Sequence, residues 1–196
     1  MNTFMKTYQE ELTQALEQFS KEDLFALYEQ IDRVRLRGGA VYVLGNGGSA
    51  ATAGHWVCDF AKGASVPGQP RLKIFSPADN VSILTALGND ISYDEVFSFQ
   101  LENVLTSQDM VISLSVSGSS PNLVQAHRLA EKVGAFRAAI IGGYHGKLES
   151  CSDLTLVIPS QNYGVVEDLH LIINHMLSQY MRRQNEAREN GKETDI

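Results

Sequence analysis

Two glycine- and serine-rich segments of this 196-residue chain offer the chemistry of anion binding. The first, Gly45–Ala50, reads GNGGSA, and the second, Ser115–Ser120, reads SVSGSS. Each follows an apolar run typical of a buried strand and precedes a helical pattern. Backbone N–H groups, hydroxyls and the positive end of a helix therefore face one small volume. The residues that we predict to hold a phosphorylated ligand are Asn46, Gly47, Gly48, Ser49, Ser115, Ser117, Ser119 and Ser120.

The first loop also matches the GxGxxA fingerprint of dinucleotide-binding proteins. That fingerprint requires an acidic residue near the end of the second strand, and Asp79 stands at a longer spacing than usual. The fingerprint leaves the serine loop unexplained, and neither loop has the GxxxxGK pattern of a P-loop. We therefore favour one phosphate site built from both loops, and a nicotinamide-binding module is the less favoured alternative.

Four other side chains have the chemistry and spacing of metal ligands. His55 and Asp59 are four residues apart, so they share one face of the helix that begins at the first loop. Glu167 and His175 are eight residues apart on a predicted C-terminal helix. Two imidazoles and two carboxylates suit Zn²⁺ or a similar ion, but a single histidine of this kind is more often a hydrogen-bonded core residue than a ligand.

The C-terminal helix carries two further polar residues, His170 and Asn174, beside the same stripe. Its many leucine and isoleucine residues indicate that the helix is mostly buried. Polar side chains in such a helix destabilise the fold unless they find hydrogen-bond partners.

The elements that must position these residues alternate between strand and helix, which is typical of parallel βαβ units. Residues 2–36 are predicted to form two helices, broken near Ser20–Asp23 with Ser20 as a capping residue. We predict strands at 40–44, 72–76, 109–114, 136–141 and 153–158. Further helices are predicted at 49–62, 80–87, 93–105, 120–133 and 164–184. Ligands of such sheets bind beyond the carboxyl ends of the strands, near the point where the strand order reverses.

Bulk properties exclude several classes of partner. The net charge of −7, without a basic face, argues against nucleic-acid binding. No apolar run reaches membrane-spanning length, the N-terminus does not resemble a signal peptide, and Cys58 and Cys151 form no CxxC pair. We expect a cytoplasmic protein without membrane partners, with a single domain at 1–186 and a disordered tail at 187–196.

In this order the motifs resemble those of the sugar isomerase (SIS) domain family, and within it the phosphoheptose isomerases. The resemblance rests on the helical hairpin, the Gly45–Ala50 loop with His55, Gly88-Asn89-Asp90, the Ser115–Ser120 loop, and the segment from Glu167 to His175. It implies an α/β fold with a flavodoxin-like five-stranded parallel sheet, helices on both faces and an N-terminal helical hairpin at 1–37.

The resemblance also implies a function. It is the aldose–ketose isomerisation of sedoheptulose 7-phosphate to a heptose 7-phosphate through an enediol, in a homotetramer with sites at subunit interfaces. By match to the family, Ser115, Ser117 and Ser120 hold the phosphate, and Asp90 contacts substrate. His55, Asp59, Glu167 and His175 match the metal and acid–base cluster, in which Asp59 and His175 exchange protons and zinc is the expected ion.

Three positions depart from the family pattern. These isomerases typically carry Glu at the position of Asp59, Gln at that of Glu167, and a hydroxyl residue at that of Val116. The alternative function is that of a non-catalytic SIS protein, either a sugar-phosphate sensor or a replication-initiator-associating protein. The latter branch lacks the carboxylate at Asp59 and the histidine at His175, and this chain has both, so we favour an enzyme.

Overall fold

A five-stranded parallel sheet forms the centre of the fold, in a computed structural model that describes residues 1–191. The strands are β1 (Ala40–Gly45), β2 (Lys73–Phe75), β3 (Met110–Ser115), β4 (Phe136–Gly142) and β5 (Leu154–Ile158). Their order across the sheet is β2-β1-β3-β4-β5, which is flavodoxin-like and confirms the predicted fold class. Dinucleotide-binding Rossmann folds have the order 3-2-1-4-5-6, so the nicotinamide alternative loses its structural support.

Helices cover both faces of the sheet. They are α1 (Asn2–Gln18), α2 (Lys21–Leu36), α3 (Gly48–Cys58), α4 (Val81–Asp90), α5 (Ser98–Glu102), α6 (Pro121–Val133), α7 (Lys147–Cys151) and α8 (Tyr163–Glu189). A π-helical turn, Asp59–Gly63, continues α3, and a 3₁₀ turn, Tyr93–Glu95, precedes α5. Within the described residues, no helix is both long enough and apolar enough to cross a membrane.

Alternate side chains of the strands pack into two separate cores. Val41 and Val43 of β1 join the core that α1, α2, α3 and α8 cover. Tyr42 and Leu44 join the opposite core, which α4, α5, α6 and α7 cover. All residues of β1 and β3 are buried, as expected for central strands between two helical layers. The sheet is therefore the middle layer of three.

The N-terminal hairpin forms as predicted and docks on α8. The Ser20 hydroxyl accepts a hydrogen bond from the Asp23 N–H at 3.0 Å, which confirms Ser20 as the N-cap of α2. The Tyr8 hydroxyl donates to Asp168 at 2.7 Å. That hydrogen bond, together with burial, raises the pKa of Tyr8 to about 12.

Three of the predicted helices differ in extent from those observed. The helix predicted at 49–62 changes after Cys58 into the π-helical turn, in which the Ala64 N–H donates to the Asp59 carbonyl at 2.8 Å. The helix predicted at 93–105 is reduced to the 3₁₀ turn and α5, whereas the one predicted at 80–87 extends to Asp90. Helix α7 was not predicted, because five residues are too few to establish a helical period.

The C-terminal helix is longer than predicted. Residues 187–189, expected to be disordered, continue α8, and 192–196 lie outside the described residues. Apolar spacing ends before this segment, so long-range polar contacts hold it. The Arg188 guanidinium donates to Asp32 at 2.8 Å, and the Asn185 amide donates to the Ala64 carbonyl at 3.0 Å.

Candidate active site

The two predicted phosphate loops lie side by side because their strands are neighbours. In the register of β1 and β3, Gly45 pairs with Leu114, so both loops leave the same edge of the sheet. Strand order reverses between these strands, which is where open α/β sheets bind ligands. A cleft of 120 Å³ opens there. It is lined by Asn46, Ser49, Leu114, Ser115, Val116, Ser117, Ser120, Tyr163 and Glu167.

The serine loop brings three of its four serines to this cleft. The Ser115 hydroxyl accepts from the Gly118 N–H at 3.1 Å, and Gly118 has the left-handed φ of 62° that the turn requires. Ser120 is the N-cap of α6, yet its side chain makes no capping hydrogen bond, so its hydroxyl is available to a ligand. Ser119 is exposed outside the cleft, where its hydroxyl accepts from the Lys147 N–H at 3.3 Å.

The first loop is anchored through Asn46. The Asn46 and Asn122 amides exchange two hydrogen bonds of 3.0 and 2.9 Å, and the Tyr93 hydroxyl donates to Asn46 at 2.9 Å. Neither Asn122 nor Tyr93 was predicted as a site residue. Predicted Asp90 is exposed at the end of α4, outside the lining of the cleft, and accepts a hydrogen bond from Asn89.

Helix α3 begins against a carboxylate. A Cβ atom added to Gly48 would lie 2.5 Å from Oε1 of Glu167, so the carboxylate covers the first turn of α3 and would have to shift to admit a larger residue. A helix N-terminus favours negative charge, which stabilises Glu167 there. Gly47, the N-cap, turns with a φ of 54°. Glu167 thus faces the phosphate loops.

The other three predicted metal ligands meet where α3 packs beside α8. His55 Nε2 lies 3.2 Å from His175 Nε2, and Asp59 Oδ2 lies 3.3 Å and 3.4 Å from these two nitrogens. The two imidazole side chains are 47% and 43% exposed, and the Asp59 side chain is 25% exposed. The prediction grouped four ligands, whereas the structure groups three. Glu167 and His175 are separated by about 12 Å of helical rise, and Glu167 points to the start of α3 instead.

This triad of His55, Asp59 and His175 fits a divalent ion such as zinc. Bonds of about 2.0–2.1 Å in a tetrahedral site place neighbouring ligand atoms about 3.3 Å apart. The three distances of 3.2, 3.3 and 3.4 Å match that spacing. Three protein ligands also leave one coordination position for water or substrate, which is typical of catalytic zinc sites.

Two buried polar residues of α8 support this region in different ways. His170 donates from Nε2 to the Ile140 carbonyl at 3.1 Å, and burial lowers its pKa to about 4. It is therefore a neutral, hydrogen-bonded core residue and not a metal ligand, which is one of the two alternatives that the sequence left open for such a histidine. Asn174 is also fully buried, but its amide donates to Asp59 Oδ2 at 2.6 Å.

Comparison with known proteins gives concordant matches. The model of the SIS domain matches residues 4–142. A probable phosphoheptose isomerase of Thermoplasma acidophilum is 32% identical over 172 residues, covering 88% of this chain and 94% of that protein. A phosphoheptose isomerase of Geobacter sp. strain M21 is 35% identical over 147 residues, covering 75% and 76%. The solved phosphoheptose isomerase of Francisella tularensis shares the fold, with a TM-score of 0.84 at 22% identity over 93% of this chain and 96% of that one.

Proposed function

This chain belongs to the SIS domain family, and on that premise we propose that it isomerises sedoheptulose 7-phosphate to a heptose 7-phosphate. The phosphoheptose isomerase names of its relatives support this substrate. The single observation that carries the proposal is the triad of His55, Asp59 and His175, formed where α8 meets the helix that starts at the first phosphate loop. A sensor needs the loops alone, whereas proton transfer between carbons needs the triad.

The substrate phosphate binds in the serine loop. Hydroxyls of Ser115, Ser117 and Ser120 line the cleft, and the N-terminus of α6 adds the positive end of a helix dipole. His55 stands six residues after Ser49 on α3, which is about 9 Å along the axis. An extended sugar phosphate with its anion in the cleft is long enough to bring its reactive carbons to the triad.

The reaction moves one proton between adjacent carbons. A base removes a proton from C1 of the ketose, the electron pair forms the C1=C2 bond, and the C2=O π bond breaks onto O2, which takes up a proton to give the enediol. The O1 hydroxyl then loses its proton, C1 becomes the carbonyl, and the electron pair of the C1=C2 bond takes up a proton at C2. Asp59 is the proposed base through Oδ1, because its contacts to Asn174, His55 and His175 all use Oδ2. His175 is the proposed partner in proton exchange through Nδ1, because its contacts to His55 and Asp59 use Nε2, the nitrogen that a metal would take.

The proposed cofactor is a divalent ion, with zinc as the expected metal. His55, Asp59 and His175 would hold it, and a bound ion would polarise the sugar carbonyl and stabilise the developing oxyanion. The spacing of the triad supports this assignment.

A cytoplasmic homotetramer with sites at subunit interfaces completes the proposal. The half-exposed triad supports it, since a second copy could cover the histidines and exclude water. Exposed apolar side chains on α1, α2 and α8 supply surface for such contacts; they include Phe4, Met5, Phe25 and Met176. The free thiols of Cys58 and Cys151 are compatible with a reducing compartment.

The first prediction tests the triad. Purified protein should convert sedoheptulose 7-phosphate to the aldose, and Asp59→Asn and His175→Ala should each lower kcat by roughly 100-fold or more. Asp23→Asn, on the N-terminal hairpin, is the control and should retain wild-type kcat. Removing metal with a chelator should abolish turnover, and added Zn²⁺ should restore it. Full activity in both triad variants would contradict the assigned roles, and sugar-phosphate binding without turnover by the wild type would favour a sensor.

A further inference from the structure

We infer that Asn174 is a positioning residue, which fixes the Asp59 carboxylate in the orientation that binds metal. The inference rests on the proposed function only through the assignment of a metal to the triad. The Asn174 amide contacts Asp59, so its effect on the metal site passes through that carboxylate.

One carboxylate oxygen, Oδ2 of Asp59, makes both the hydrogen bond to Asn174 and the contacts to the two histidines. The Asn174 amide nitrogen donates to Asp59 Oδ2 at 2.6 Å, and the same oxygen faces His55 Nε2 at 3.3 Å and His175 Nε2 at 3.4 Å. A carboxylate oxygen has two lone pairs. The amide takes one of them, so the other is directed toward the two imidazoles, where a metal would lie.

Asn174 is the rigid member of this group. The Asp59 side chain is 25% exposed and the two histidines nearly half exposed, so water competes for all three. Asn174 is 0% exposed, and its amide cannot turn toward solvent. A hydrogen bond from a buried donor to a charged acceptor is also among the stronger kinds. The core thus fixes the Asp59 rotamer.

The amide itself is only half satisfied. Oδ1 of Asn174 is buried and has no hydrogen-bond partner. Turning the amide over would set this oxygen against Asp59 Oδ2, so the donor must face Asp59. An unpaired buried carbonyl destabilises a fold, and an apolar residue would fill the position without that penalty. The amide therefore has a role other than packing.

The variant Asn174→Leu separates a packing role of Asn174 from its role in positioning Asp59. Leucine has the same branched skeleton of side-chain heavy atoms, although it is bulkier, and the change removes both the donor to Asp59 and the unpaired carbonyl. Asn185→Leu is a matched control, because Asn185 also lies on α8, is 2% exposed and has a buried, unpaired Oδ1. Its amide donates to the Ala64 backbone carbonyl at 3.0 Å and not to a predicted ligand.

The test measures metal binding directly. The Zn²⁺ dissociation constant, from competition with a chromophoric chelator, should rise about 10- to 100-fold in Asn174→Leu and stay unchanged in Asn185→Leu. The visible absorption bands of bound Co²⁺ should change in the first variant alone. The metal-free melting temperature of Asn174→Leu should equal or exceed that of the wild type, which a packing role would not give. Asn174→Ala, which cannot clash, should weaken Zn²⁺ binding to the same extent if leucine prevents folding.

Each outcome decides the inference. Equal Zn²⁺ affinity in Asn174→Leu and Asn185→Leu would overturn it, as would a wild type that binds neither ion. A wild type that binds Zn²⁺ without isomerising the sugar would refute the proposed function alone, and the difference between the asparagine variants would still support the positioning role.

Discussion

At the scale of single residues, two buried histidines make stability depend on pH. His127 lies between the hydroxyls of Ser113 and Ser152, at 2.9 and 3.1 Å, and His170 donates to Ile140. Burial lowers the pKa of each imidazole to about 4. Both therefore stay uncharged in the folded protein down to about pH 4, whereas a histidine of the unfolded chain takes up its proton near pH 6.5.

We predict that acid destabilises the fold through these two groups. Below pH 6.5 the unfolded chain binds protons that the folded protein does not, so the free energy of unfolding falls between pH 6.5 and 4 and is steady above. At pH 5 the loss should be about 2 kcal/mol for each histidine. Urea denaturation at pH 7.5 and 5.0 measures it. His127→Gln should show about half of the loss, and an identical loss in the variant would contradict the assignment.

At the scale of elements, the start of α3 and the face of α8 share a tight contact. Gly48 leaves the space that the Glu167 carboxylate occupies, beside the serines of the phosphate cleft. The two helices are far apart in the sequence, so nothing local to either loop indicates the contact.

We predict that Gly48→Ala impairs substrate binding more than folding. The added methyl group would displace the Glu167 carboxylate, which is the mobile end of a long side chain, while alanine suits a helix better than glycine. KM for sedoheptulose 7-phosphate should rise several-fold, with little change in melting temperature. The double variant Gly48→Ala/Glu167→Ala removes the clash and is the control. An unchanged KM in the single variant would show that the carboxylate moves without consequence.

At the scale of the whole molecule, Asp32 ties the N-terminal hairpin to the C-terminal helix. The fully buried Arg35 donates to Asp32 at 2.8 and 2.6 Å and to the Pro70 carbonyl at 2.7 Å, and Arg188 of α8 donates to Asp32 at 2.8 Å. Burial alone would raise the pKa of Asp32, but hydrogen bonds from Arg188 and Arg35 outweigh it and lower the pKa below 3.8. The carboxylate is therefore charged and paired.

We predict that Asp32→Asn destabilises the fold by about 3 kcal/mol at pH 7, because it leaves the buried Arg35 charge unpaired. The depressed pKa means that the wild-type advantage is complete above pH 3.8 and is lost as the pH falls further. Urea denaturation of both proteins from pH 7 to 3 tests this. The exposed pair of Lys6 and Glu10 supplies the control, since Glu10→Gln should change stability by less than about 0.5 kcal/mol. Equal stability of Asp32→Asn and wild type at pH 7 would refute the prediction.

Local sequence patterns were enough for the sheet, the hairpin and most helices. Apolar runs followed by glycine or serine, as at Gly45 and Ser115, mark strand ends within a few residues. Because these patterns are local, they do not predict structure that depends on distant residues. The last turns of α8 are held by Asp32 and Ala64, and these partners are more than 100 residues away in the sequence.

Strand, loop and helix periods are local properties, so the sequence alone locates the two loops and places His55 and Asp59 on one face of a helix. It also flagged Asn174 as a polar residue in an apolar helix. Three contacts follow from the packing of the helices and not from local patterns. His175 meets Asp59, Glu167 turns to α3, and Asn174 donates to Asp59. The physical reason is that helical spacing fixes a direction around one axis, whereas the packing of α3 against α8 decides which directions converge.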